Sequence, residues 1–247
     1  MQSHCGRERE AAYMREDHDP RQPGEIRAFV EYRNQPRPAR QQYWVGWDPG
    51  QSQDYSAIAV LKKMLDKTYQ VQHLERLPLG TPYPAQVEKV YSMMHRRPLD
   101  KADVTLCIDA TGIGAAVVDL AKEKGTNPVS IQIHGGMEAS WDDDRMSARV
   151  PKADLIGCLT VLAQTKSVTV AKGLPYADAL RQELKAYQAK INPNTAHVSY
   201  GNDARQAPHD DLVLSVAIPL WTAENRYPRP NPICRFISAG LRHRQRW

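Results

Sequence analysis

From residue 43 the chain alternates short apolar runs with helical stripes. YWVGWDPG, SAIAVLKKM and TYQVQHLERL are three β-type runs, the first ending in Pro-Gly and the last two parted by Asp66-Lys67, and they predict a three-strand meander. In PAQVEKVYSMMHRR, Val87, Val90, Tyr91 and Met94 recur at i, i+3, i+4 and i+7 behind a proline start, which predicts a helix that Pro98 ends. VTLCIDA is nearly continuous in apolar residues, as a central strand buried on both faces requires. It leads through Thr111-Gly112-Ile113-Gly114 into a helix, AAVVDLAKEKG, that Gly125 stops. PVSIQI predicts a fifth strand and HGGMEASWDDDRMSARV a polar loop. Then follow a helix from Lys152 to about Gln164, a short strand SVTVA, a helix ADALRQELKAYQA, a hairpin around INPNTAHVSY and a last helix DDLVLSVAIPLW.

Three meander strands followed by βα units make a mixed sheet, because parallel strands need helical crossovers and these are almost always right-handed. The predicted class is α/β, with the mixed sheet flanked by helices in an RNase H-like arrangement. Other α/β folds share this order, so the acidic residues must decide between them. No internal repeat is present.

Length and composition narrow the picture. With 247 residues, 41% hydrophobic and 25% charged, the chain is an ordinary globular protein with room for a sizeable core, not a coiled coil or a disordered tail. No apolar run reaches the roughly 20 residues of a spanning helix, and the first thirty residues are too polar for a signal peptide, so the expected location is the cytoplasm, a host cell's if the chain is viral. Cys5, Cys107, Cys158 and Cys234 match no zinc-ligand spacing and read as reduced thiols.

The net charge of +5 is uneven. Residues 1–42 carry 8 Lys/Arg against 7 Asp/Glu, with several prolines and little apolar periodicity, and read as a polar extension. Residues 43–223 form the organised domain, with 19 against 20. Residues 224–247 carry 6 against 1, with Arg226, Arg229, Arg235, Arg242, Arg244 and Arg246 interleaved with prolines and aromatics. Such a tail is either a phosphate-binding or acid-binding segment or a solvated end.

The candidate chemistry lies in the acids. Asp48 closes the first strand and Asp109 the fourth, each among apolar neighbours where an ionised carboxylate is costly unless paired or bound to a cation. The proposed fold makes these strands neighbours, so the two carboxylates converge. Asp210 and Asp211 open the last helix, where an acid also suits the helix dipole. Asp210 is expected at the N-cap, engaged by backbone N–H groups, with Asp211 facing the strand ends. Asp54, at the start of the second strand, is either a surface turn acid or a further ligand. Clustered aspartates with few histidines select hard cations, Mg²⁺ or Mn²⁺, and two such ions hydrolyse phosphodiesters.

At this point the sequence resembles the C-terminal nuclease domain of the large subunits of tailed-phage terminases. The resemblance rests on WVGWDPGQSQDYSAIAVL, CIDATGIGAAVVDLAKEKG, RVPKADLIGCLTVLAQ and HDDLVLSVAIPLW in that order, and spans about residues 43–223. It implies a two-metal endonuclease that cuts concatemeric viral DNA during genome packaging. Asp48, Asp109 and Asp211 would then be the catalytic metal ligands, with Asp54 and Asp210 supporting them. Lys152 in VPK matches a basic position that would hold a DNA phosphate or stabilise transition-state charge, the alternative being a solvated lysine; Arg149 beside it and, from the composition of the tail, Arg242, Arg244 and Arg246 are further candidate DNA-binding residues. The implied substrate is double-stranded DNA. No GxxxxGK[ST] loop occurs in the sequence, so a separate packaging ATPase, a small terminase subunit or a portal are the expected partners, and no membrane.

Two other readings stay open: an RNase H-like Holliday-junction resolvase, and a non-catalytic DNA-binding or packaging adaptor of the same fold. Sugar-kinase and actin-like ATPases use related turns, but their two domains do not fit about 180 organised residues. The Gly112/Gly114 turn is expected to serve packing beside Asp109, the Asp142–Asp144 run to be a solvated loop, and Trp44, Trp47, Trp221, Met93 and Met94 to pack in the core. His209 reads as the residue before the last helix, or as one that orients a water.

Overall fold

The computed structural model describes residues 40–191, 198–202 and 209–226. In chain order the elements are β1 (Gln42–Asp48), β2 (Ser56–Lys63), β3 (Tyr69–Leu77), α1 (Tyr83–Met94), β4 (Asp103–Asp109), α2 (Gly114–Glu123), β5 (Val129–His134), β6 (Ser140–Trp141), β7 (Ser147–Pro151), α3 (Lys152–Gln164), β8 (Val168–Val170), α4 (Ala177–Ala186), β9 (Tyr187–Ile191), β10 (Val198–Asn202) and α5 (Asp211–Asn225). A short 3-10 turn, Leu99–Lys101, precedes β4.

Eight strands form one mixed sheet in the order β6-β7-β5-β4-β1-β2-β3-β8, and β9 and β10 form a separate antiparallel pair. The meander pairs antiparallel, whereas β4 joins β1, β5 joins β4 and β7 joins β5 in parallel. The carboxyl ends of β1, β3, β4, β5 and β7 therefore share one edge of the sheet. The sequence-based mixed sheet with flanking helices is what the structure has.

Two apolar layers sandwich the sheet. One face packs Val45, Trp47, Ile58 and Ile108 against Val87 and Val90 of α1 and Val117, Val118 and Ala121 of α2. The other packs Ala57, Ala59, Cys107, Val129 and Ile131 against α3, α5 and Leu180 of α4. Helix α5 is buried nearly all round, from Asp211 to Thr222, which explains why its sequence lacks a polar face. It lies tight on β1 because Gly46 leaves room: a Cβ there would overlap the Ser215 carbonyl oxygen and the Pro219 ring. Trp44, Trp47 and Trp221 are buried, and Met93 and Met94 pack against the core as expected. Cys107 and Cys158 are buried free thiols, and burial pushes the Cys107 thiol up to about 12.

The structure departs from the expected loop at 134–150, which contains β6 and β7. Ala148 and Val150 alternate inward, but Ser147, Arg149 and the following Pro151 mask that alternation in the sequence. The fourth helix also ends three residues early, at Ala186, where the chain turns into β9. Among the described residues no helix is long and apolar enough to cross a membrane.

Candidate active site

Strand register gathers the site. Trp47 of β1 stands beside Ile108 of β4, so the next residues, Asp48 and Asp109, end these two parallel strands side by side. Side chains alternate along a strand: Trp47 and Ile108 belong to the α1/α2 layer, so both carboxylates project to the opposite face, toward α5. In the other direction Asp48 pairs with Ala57 of β2, and Ala57 pairs with Arg76 of β3. Asp109, Asp48, Ala57 and Arg76 thus form one cross-strand row, and the first turn of α5 lies over it.

The electrostatics follow from this crowding. Burial holds the Asp48 carboxyl well above its ordinary value, and the charges of Asp109, Asp210 and Asp211 add to the shift while Lys152 opposes it. Asp109 is raised by burial too, although hydrogen bonds from Thr111 pull the other way. Thr111 N–H donates to Asp109 Oδ1 at 2.8 Å. The Thr111 hydroxyl oxygen accepts the Ile133 N–H at 2.8 Å, tying the turn to β5. Gly114 packs so close that a Cβ would overlap the Asp109 carbonyl oxygen. The Gly112/Gly114 turn therefore shapes the backbone that carries Asp109, as the sequence suggests.

The two acids of α5 differ. Asp210 occupies the N-cap position but its side chain makes no capping hydrogen bond, contrary to the sequence expectation. Its Oδ2 instead accepts from Lys152 Nζ at 2.6 Å, because α3 begins directly beside it. Asp211, 4% exposed, is held in two-point fashion by Arg76: Nε donates to Oδ2 at 2.7 Å and Nη2 to Oδ1 at 3.0 Å. Arg76 Nη2 also donates to Oε1 of the buried Glu183 on α4. Glu183 Oε2 accepts the Val213 N–H at 3.1 Å, so a neighbouring helix supplies the cap that Asp210 does not. Burial raises Glu183 to about 8, with Asp211 adding to the shift and the Val213 and Arg76 contacts opposing it. The Arg76 guanidinium lies 5.0 Å from the Tyr55 ring centroid, and Tyr55 meets His209 edge-on at 5.2 Å.

Of the residues singled out in the sequence, the structure brings Asp48, Asp109, Asp210, Asp211 and Lys152 together. Asp54 sits in the exposed bend between β1 and β2. Arg149 alternates with the inward Ala148 and Val150, so it projects from the opposite face of the sheet and is exposed. Asp142 and Asp144 each accept the Met146 N–H within the β6–β7 turn and are exposed. Arg242, Arg244 and Arg246, like residues 1–39, lie outside the described residues. Arg76 and Glu183 are site residues that the sequence reading missed.

The converging donors are all carboxylate oxygens, the chemistry that suits Mg²⁺ or Mn²⁺ rather than zinc. Two partly desolvated acids side by side, with pKa values raised by burial and by neighbouring carboxylates, are the environment that a bound cation relieves. Among the described residues no three His, Cys, Asp or Glu side chains are already grouped as a metal cage. Asp210 and Asp211 carry ion pairs with Lys152 and Arg76.

A family model described as the terminase RNase H-like domain matches residues 45–216. The chain belongs to the terminase RNase H-like domain family. The large terminase nuclease from thermophilic phage G20c is similar in structure, with a TM-score of 0.53 and 20% identity over 74% of this chain and 82% of that one. The same nuclease with bound magnesium gives 0.53 and 21% over 73% and 80%. The HK97 bacteriophage large terminase gives 0.51 and 10% over 76% of this chain and 40% of that one. At these identities the likeness establishes the fold, an RNase H-like terminase nuclease fold. A comparison with curated proteins gave no match.

Proposed function

We propose that this chain is a metal-dependent endodeoxyribonuclease that cuts double-stranded viral DNA during genome packaging. The observation that carries the reading is the Asp48–Asp109 pair at the ends of adjacent parallel strands, both pKa values raised and both facing α5. The family membership and the magnesium bound to a structurally similar nuclease support it.

In this reading Asp48, Asp109 and Asp211 hold two Mg²⁺ or Mn²⁺ ions, with Asp210 and, from the turn, Asp54 supporting them. When bound, such ions polarise the scissile phosphate, acidify an attacking water and offset charge on the leaving oxygen. The chain's own groups do the rest. Asp48 and Asp109, fixed on rigid strands, define where the phosphate sits. Thr111 holds the Asp109 carboxylate in place through its backbone N–H. Lys152, now paired with Asp210, stands ready to meet a phosphate oxygen and stabilise its growing charge. Partners in this setting would be a packaging ATPase, a small terminase subunit or a portal.

Purified protein incubated with supercoiled plasmid and, in parallel, a four-way DNA junction in Mn²⁺ tests the reading. Plasmid cutting that EDTA stops is the expected result. Cutting confined to the junction would instead favour a resolvase, and none at all with bound metal an adaptor.

A further inference from the structure

Arg76 is fixed by three partners. Its two donors to Asp211 hold both edges of one carboxylate, Glu183 takes a further hydrogen bond, and the Tyr55 ring covers the guanidinium at 5.0 Å. A two-point grip of this kind sets the plane of a carboxylate, which the single-point ammonium of lysine does not. It also uses one lone pair on each Asp211 oxygen, and each carboxylate oxygen carries a second. Arg76 itself stands in that row, paired through Ala57 with Asp48. The strand that carries it and the helix that carries Asp211 are thereby locked in register at the site.

We propose that Arg76 is a positioning residue: it orients the Asp211 carboxylate toward a divalent cation held with Asp48 and Asp109, and Glu183 and Tyr55 hold Arg76 in place. This rests on the metal-dependent reading above. Losing the partner that orients a metal-binding side chain typically costs ten- to a hundredfold in affinity. Arg76→Lys keeps the charge but loses the two-point grip, so it should weaken Mn²⁺ binding by roughly tenfold or more. Tyr55→Leu removes only the ring over the guanidinium and should weaken it roughly threefold.

The test measures Mn²⁺ affinity of the full chain without DNA by electron paramagnetic resonance, in wild type, Arg76→Lys, Tyr55→Leu, Asp211→Asn and each double variant with Asp211→Asn. The melting temperature of each is read alongside. The proposal expects the Arg76 and Tyr55 effects to vanish once Asp211 is changed, because both act through that carboxylate. A purely structural Arg76 would lower the melting temperature, keep wild-type affinity in the folded fraction and overturn the proposal. Losses that add to that of Asp211→Asn, or tighter binding by Arg76→Lys, also overturn it. If Arg76→Lys does not fold, the Tyr55→Leu pair decides alone. Wild-type protein that binds no Mn²⁺ sinks the metal reading itself, a result separate from normal binding that Arg76→Lys leaves unchanged.

Discussion

Lys152 and Asp210 join the first residue of α3 to the residue that opens α5, with Nζ 2.6 Å from Oδ2. The neighbouring acid, Asp211, has an arginine and a buried setting instead, so adjacent residues of one turn face different costs on removal. Asp210→Ala breaks a partly exposed pair and should cost at most about 1 kcal/mol. Asp211→Ala removes two buried hydrogen bonds from the Arg76 guanidinium and leaves Glu183 to balance it, so it should cost about 1–3 kcal/mol. Urea unfolding of the two variants without metal checks this, and equal losses would contradict it. In cutting assays at saturating Mn²⁺, Asp211→Ala should be inactive and Asp210→Ala should keep residual activity.

The same network gives the metal-free protein a pH dependence. Burial, with the nearby Asp211 adding to it and Arg76 opposing it, keeps the proton on Glu183 up to about 8, against an ordinary value of 4.5. The folded state then binds more protons than the unfolded state between those values, and stability must fall as pH rises through that window. Asp48 and Asp109, also raised, act in the same direction from above their ordinary 3.8. Melting temperatures without metal should decline from pH 5 to pH 8, and Glu183→Gln, which keeps an acceptor for Val213 N–H, should flatten the decline. A melting temperature that climbs over this range contradicts the assignment.

Much of the fold was legible because its strands sit in apolar runs that end at Asp48 and Asp109, and burial of a carboxylate at such a place has few explanations. Arg76 was hidden by a bulge. Leu61 pairs with Val71 but Val60 with His73, so Gln72 is an extra residue in β3 and the alternation changes parity there. Strict alternation from Tyr69 and Val71 places Arg76 on the wrong face; beyond the bulge it follows Leu74 under α5. Glu183 left a signal, since it lies midway between the buried Leu180 and Ala186 on one stripe of α4. What no local pattern gives is its partner, because Arg76 is 107 residues away.

The basic tail offers a separate expectation. Arg226 is engaged within the domain, its Nε donating to the Arg145 carbonyl oxygen at 2.8 Å, so a truncation that tests the tail begins after it. Deleting residues 227–247 should weaken duplex DNA binding and flatten its salt dependence by about 0.9 in log–log slope per lost contact. Filter binding or fluorescence anisotropy over a salt series measures it. An unchanged slope would assign the tail to a protein partner or to no role.

The proposed catalytic metal site stands on Asp48 and Asp109 together. Its most direct measurement is the rate at which wild type, Asp48→Asn and Asp109→Asn cut supercoiled plasmid in Mn²⁺, each protein freed of contaminating nuclease and checked for folding by circular dichroism. Wild type should cut and stop on EDTA. Both variants should be folded and inactive, with metal-free melting temperatures at or above that of wild type because repulsion between the two acids is relieved. Either variant cutting at the wild-type rate would rule out this metal site.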